Sequence, residues 1–268
     1  MTGPWRWHAW TAAVAGRAHR EGRKRCQDYC RCRLVQPRGV PIAIAVVADG
    51  AGSAEFGRIG ARTAGDALLN SAERFVADHS GAADVGRDQI LEMFEQARGA
   101  ISRHARRRPM RRYATTIALA MLGPDSSAFA QIGDSVIVAG CGGEYAPVFW
   151  PENGEFVNTT SFLTESRFEE HLRFELRATP ITEVALFTDG LSPIALNLCE
   201  QKAHRPFFYP LFAQLRDAIR SSTPRRVIER QLRQFLGSES MESRVDDDRS
   251  LVLICGHGQD KNDGDLLG

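Results

Sequence analysis

IAIAVVADGAGS, residues 42–53, decides how this chain is read. Its apolar run, from Ile42 to Ala48, is bounded by Pro41 on one side and by Asp49-Gly50 on the other. That length and β-branched content predict a buried strand. The strand stops on a carboxylate, and the pattern recurs. VALFTDGLS (184–192) ends a second apolar run on Asp189, and DDDRSLVLIC (246–255) starts a third from Asp246, Asp247 and Asp248. QIGDSVIV (131–138) sets Asp134 between two strand-like runs, and CQDYC (26–30) sets Asp28 near the N-terminus. A strand ending on Asp-Gly, beside one that leaves an Asp, brings carboxylates to one edge of a sheet. Carboxylates so gathered repel one another unless cations sit between them. The pattern therefore predicts a divalent-metal site.

At 268 residues the chain fits one large sandwich or α/β domain, able to bury a core without disulfides. Its 43% hydrophobic and 25% charged residues are those of an ordinary globular protein. A net charge of +1 gives no global pull toward nucleic acid or membrane, and neither is expected as a partner. No apolar run reaches the roughly 18 residues of a spanning helix. MTGPWRWHAW lacks the charged start and apolar stretch of a secretion signal. The six cysteines show no CxxC pair. Cys26, Cys30 and Cys32 with His19 would suit zinc, but alternation along a strand is the preferred reading, with free thiols in a cytoplasmic protein.

Outward from 42–48, residues 7–18 and 28–36 alternate as strands. Helical spacing runs from Gly57 to about Asp78 and over 87–107, where Pro109 follows as punctuation. Short β-rich segments follow at 114–122, 127–132, 135–140 and 144–149, then a turn at 151–155. Further strands are expected at 156–163, 172–177 and 183–188, helices at 207–220 and 224–237, and a last strand at 249–255. This order suits antiparallel sheets between helical layers better than a βαβ array. One domain over 1–256 and a mobile tail over 257–268 are expected.

RKRCQD (23–28), VVADGAGS (46–53), ATT (114–116), QIGDS (131–135), FTDGL (187–191) and DDRS (247–250), in that order, resemble the motifs of the metal-dependent protein phosphatases of the 2C (PPM) class. FVNTTSFLTE (156–165) resembles the small bacterial branch of that family. The resemblance implies an α+β fold, a four-layer α-β-β-α sandwich of two antiparallel sheets flanked by helix pairs. It implies hydrolysis of phosphoserine and phosphothreonine on proteins by a water activated between two Mn²⁺ or Mg²⁺ ions, counteracting a Ser/Thr kinase. Asp49 would bridge the ions, the Gly50 carbonyl would add an oxygen, and Asp189 and Asp247 would complete one shell. Asp28 would serve the second ion, directly or through water. Arg23, five residues before Asp28, would clamp the phosphate with its planar guanidinium, with Arg25 as its local competitor. Asp134 is either a turn residue or a third, weaker metal position. Thr115 and Thr116 are expected to be structural.

Three positions depart from the family pattern. Ala51 stands where some members carry a histidine proposed as general acid, Gln27 where a glutamate often precedes the aspartate, and Pro193 where another aspartate often serves a third ion. These departures keep an alternative open, a phosphatase-like regulatory module that binds phosphoprotein with little turnover. An aspartyl-phosphate mechanism needs Asp-x-Asp, which Asp49-Gly50-Ala51 and Asp189-Gly190-Leu191 lack, and a nuclease finds no support in the charge. RHARRRPMRRY (103–113) reads as a solvated helix end or as a docking surface for an acidic partner. The stretch 150–182 is long enough for a flap over the site. Substrate and oligomeric state are not legible in the sequence.

Overall fold

The computed structural model describes residues 5–22, 25–79, 84–151 and 160–258. In chain order its elements are β1 (Trp5–Val14), α1 (Arg17–Glu21), β2 (Tyr29–Val35), β3 (Ile42–Ala48), α2 (Gly57–His79), α3 (Arg87–Ala105), β4 (Ile117–Leu122), β5 (Ser127–Ile132), β6 (Val136–Cys141), β7 (Glu144–Pro147), β8 (Arg173–Arg177) and β9 (Glu183–Phe187). There follow α4 (Ser192–Ala195), the small hairpin β10 (Leu196–Asn197) and β11 (Lys202–Ala203), α5 (Arg205–Arg220), α6 (Arg225–Leu236), α7 (Glu239–Glu242) and β12 (Arg249–Gly258). Two antiparallel sheets result, ordered β1-β12-β9-β6-β7 and β2-β3-β4-β5-β8.

Period-two alternation assigns the faces. On β3, Ile42, Ile44 and Val46 pack on Leu68, Phe94 and Ile101 of α2 and α3. Ala43, Ala45 and Val47 of the same strand face the other sheet, against Ile137, Leu186 and Val252. On β12, Leu251 and Leu253 turn outward to Phe208, Phe212 and Leu232 of α5 and α6. Both faces of the central strands are thus covered, which is why 42–48 reads as an unbroken apolar run. The layers are helices, sheet, sheet, helices, and the α+β sandwich expected from the sequence is the one observed. No described helix is long and apolar enough to cross a membrane.

Several boundaries differ from the sequence reading. The strand expected over 7–18 ends at Val14, because Gly16 packs directly on the backbone of Asp246 and Asp247 and the chain turns into α1. The helix expected to 107 ends at Ala105, where Arg106 takes φ 56. The strand expected from 114 begins only at Ile117, since Ala114 and Thr115 are drawn off to bond the segment after β3. Residues 160–163 form no strand, and 156–159 lie outside the described residues. β12 runs on to Gly258, past the expected boundary at 256, while 259–268 lie outside the description.

Candidate active site at the carboxylate edge

Antiparallel register gathers the acidic residues. Tyr29 pairs with Ala48, so Asp28 at the entry to β2 lies beside Asp49 at the exit of β3. Leu251 pairs with Phe187, so Asp247 and Asp248 before β12 lie beside Asp189 after β9. β3 and β9 belong to different sheets but end on the same edge, and Asp134 occupies the turn from β5 to β6 that crosses between the sheets. Five segments, distant in sequence, deliver carboxylates to one place.

Hydrogen bonds fix the backbones there. The Asp49 carbonyl accepts from Thr116 N at 2.9 Å and from the Thr115 hydroxyl at 2.8 Å. Asp49 N donates to Thr116 Oγ1 at 3.2 Å. Both threonines are buried, and their expected structural role is the one they play. The Thr188 hydroxyl donates to Asp28 Oδ2 at 2.8 Å and accepts from Ser250 N at 3.1 Å, tying Asp28 to the other sheet. The sequence reading passed over Thr188 and Ser250, although both lie within the FTDGL and DDRS motifs. At the described end of the expected flap, Thr160 donates to Asp134 Oδ2 at 2.6 Å and Leu163 N to Thr115 O at 3.0 Å.

The site is electrostatically frustrated without cations. Burial, then the Asp28, Asp189 and Asp247 charges, hold the Asp49 carboxyl well above the usual carboxylate range. Asp28 is pushed up to about 7 by burial and by Asp248, and Asp189 to about 6 by burial, Asp134 and Asp247. Asp28 Oδ1 and Asp189 Oδ1 are buried with no hydrogen-bond partner. Buried orphan oxygens are costly unless something absent from the protein satisfies them. A donor set made of carboxylates and a nearby carbonyl suits a hard cation such as Mg²⁺ or Mn²⁺, so these residues fit divalent ions.

Among the described residues, one group of ligand-type atoms within 4.8 Å of one another was not anticipated: Cys26, Asp28 and Asp248. Asp248 is better explained as an anchor than as a ligand. Its Oδ1 accepts from Gly16 N at 2.6 Å and its Oδ2 from Gln27 N at 2.6 Å, and His19 Nδ1 lies 2.9 Å from the same Oδ2. It thereby ties the N-terminal segment to β12, while Asp247 engages one oxygen with Asp248 N at 2.8 Å. His19 is thus committed to Asp248, and Cys26, Cys30 and Cys32 are free thiols. Arg23, the expected phosphate clamp, lies outside the described residues.

Glycine is required at two site positions. A Cβ on Gly50 would stand 2.3 Å from the Gly57 carbonyl carbon, and one on Gly190 would stand 2.0 Å from Asp248 O. Close packing of the 50–57 loop on itself is therefore one reason for Gly50. Gly50→Ala must displace the Asp49 loop, so melting is expected to show a loss of roughly 1–3 kcal/mol together with weakened Mn²⁺ binding. An unchanged melt and affinity would remove this packing argument.

The chain matches known proteins over most of its length. Residues 15–237 match the family model described as Protein phosphatase 2C. The chain is 30% identical over 258 residues to serine/threonine-protein phosphatase 3 of Escherichia coli (strain K12), covering 92% of this chain and 97% of that one. A crystal structure of a bacterial serine phosphatase superposes with a TM-score of 0.65 at 13% identity, covering 95% of this chain and 100% of that one. The catalytic domain of the serine/threonine protein phosphatase PstP, in complex with two manganese ions, superposes with a TM-score of 0.62 at 16% identity, covering 94% of this chain and 99% of that one. At such identities the two structures speak to the fold.

Proposed function

This chain belongs to the protein phosphatase 2C family, and we propose that it removes phosphate from phosphoserine and phosphothreonine in proteins, with Asp28, Asp49, Gly50, Asp189 and Asp247 holding two Mn²⁺ or Mg²⁺ ions. The observation that carries this reading is the convergence of aspartates from five segments on one edge, with buried oxygens left unpartnered. When bound, such ions neutralise phosphate charge and make water a better nucleophile.

The protein's own contribution is position. Asp49 is held by Thr115 and Thr116 at the centre of the cluster, and Asp28 by Thr188 at its flank. Asp134 supports a third, weaker cation position, with one oxygen turned to Thr160. Water adds to phosphorus, the ester P–O bond breaks, and the departing serine or threonine alkoxide takes a proton. Ala51 supplies none, so that proton would come from water or from another residue. Arg23 clamps two phosphate oxygens. Arg23→Ala is expected to raise KM about tenfold or more with a smaller fall in kcat, and an unchanged KM would move the clamp to Arg25.

The reaction consumes a phosphoester, so a Ser/Thr kinase must supply it. The six cysteines are free, in keeping with a reducing, cytoplasmic setting. A phosphoprotein-binding module without turnover would not need the complete carboxylate set. Phosphate release from a phosphothreonine peptide is the test, run with Mn²⁺, with Mg²⁺ and with EDTA. Release with metal and none with EDTA is expected. Absence of release from folded, metal-loaded protein would favour the binding module.

A further inference from the structure

Six arginines fall within residues 103–112, in a chain whose net charge is +1. The run leaves the end of α3 and passes through a 3₁₀ turn, Met110–Tyr113, into the segment that bonds the Asp49 loop. Two of the arginines hold it in place. Arg112 pairs with Glu55, and its guanidinium lies 5.0 Å from the Phe56 ring centre. Arg108 lies 5.1 Å from the same ring and donates to the Tyr113 hydroxyl at 3.4 Å. Phe56 and Tyr113 stack at 4.9 Å, and Phe56 N donates to Arg112 O at 2.7 Å. This bracket fixes the arginine arm to the loop that begins at Asp49.

The other four, Arg103, Arg106, Arg107 and Arg111, are exposed and have no acidic partner among the described residues. Arg103, Arg106, Arg107 and Arg108 line an open depression of about 930 Å³. The dipole of α3 accounts for Arg103 and His104 in its last turn. It does not account for Arg106, Arg107 and Arg111, which lie beyond Ala105. Unpaired like charges repel and gain from a polyanionic ligand. Tyr113 is buried and the exposed His104 stands edge-on to it at 5.9 Å, so the run offers no exposed Phe, Tyr or Trp ring for stacking a nucleic-acid base.

We infer that this arm docks an acidic segment of the phosphoprotein substrate, beside the phosphoresidue. The inference rests on the phosphatase reading of the carboxylate edge. Ala114 O accepts from Ala51 N at 3.0 Å. Arg111 stands three residues before Ala114, so the arm begins within roughly 11 Å of the Asp49 loop. An extended peptide rises about 3.3 Å per residue. The favoured carboxylates therefore sit about three to six positions from the phosphoresidue.

The test compares two phosphothreonine peptides of equal length, with aspartates or serines at those positions. Wild type is expected to favour the acidic peptide about tenfold in kcat/KM at low salt, and to lose the preference at high salt. In Arg107→Glu/Arg111→Glu the preference should vanish, while hydrolysis of para-nitrophenyl phosphate, too short to reach the arm, reports an intact site. Fluorescence anisotropy of a labelled acidic peptide lacking phosphate reads docking without turnover, so failed catalysis would sink the phosphatase reading and still leave docking decided. Equal kcat/KM for the two peptides, or a preference that survives the charge reversal, overturns the inference. So does tighter binding of a duplex oligonucleotide than of the acidic peptide.

Discussion

Asp49→Asn is expected to yield a folded protein whose metal-dependent phosphate release from a phosphothreonine peptide falls about a thousandfold or more. The substitution keeps shape and removes one charge from the centre of the cluster. The backbone bonds from Thr115 and Thr116 do not depend on that charge, so the loop keeps its place. What changes is the field, because Asp28, Asp189 and Asp247 all act on Asp49. At a pH high enough to ionise Asp49, removing the central carboxylate relieves their repulsion, and there the metal-free variant should melt higher than metal-free wild type. The gain is about 2–4 °C for each kcal/mol of repulsion removed. Added Mn²⁺ then gives little further stabilisation, whereas wild type with metal at about a hundredfold over its Kd gains about 2.7 kcal/mol. Retained turnover in a folded variant would overturn the central role of Asp49.

The second large effect is on stability against pH. Asp28 at about 7 and Asp189 at about 6 lie above the 3.8 of an unperturbed aspartate, and Asp49 lies well above it too. Each group binds its proton more tightly folded than unfolded. Its stabilising contribution is complete below pH of about 4 and is lost as pH rises through its folded value. Metal-free protein should therefore lose stability between pH of about 4 and 7, on the order of 1.4 kcal/mol per pH unit while one proton is released. Saturating Mn²⁺ should flatten that fall, because the cation replaces the protons. The metal-induced rise in Tm is expected to be larger at pH of about 8 than at about 5. Asp28→Asn/Asp189→Asn should flatten the metal-free profile without metal. A metal-free Tm that stays level or climbs across this window would mean the carboxylates are not packed against one another as described.

How much of this was legible in the sequence depended on the range of the interactions. The run 42–48 declared itself because both of its faces are buried, and α2 and α3 because their apolar residues recur at helical spacing. Asp28, Asp49, Asp189 and Asp247 stood out because each sits where a strand starts or stops, a local signal. The anchoring role of Asp248 was not legible. It bonds Gly16 and Gln27 and lies beside His19, all more than 200 residues away in sequence, and only the folded register brings them together. The turn into α1 escaped for the same reason, because Gly16 answers to the backbone at Asp246 and Asp247 and not to its sequence neighbours. Ala114 and Thr115 have strand-like character but are captured by the Asp49 loop, so β4 starts late.

The most direct test of the account is the number of Mn²⁺ ions held by metal-stripped protein, counted from the loss of the free-Mn²⁺ electron paramagnetic resonance signal during titration. About two ions per chain are expected in wild type, with binding largely abolished in Asp49→Asn. Equal binding by wild type and variant, or none by either, would contradict the assignment of the carboxylate edge as the site that holds the ions.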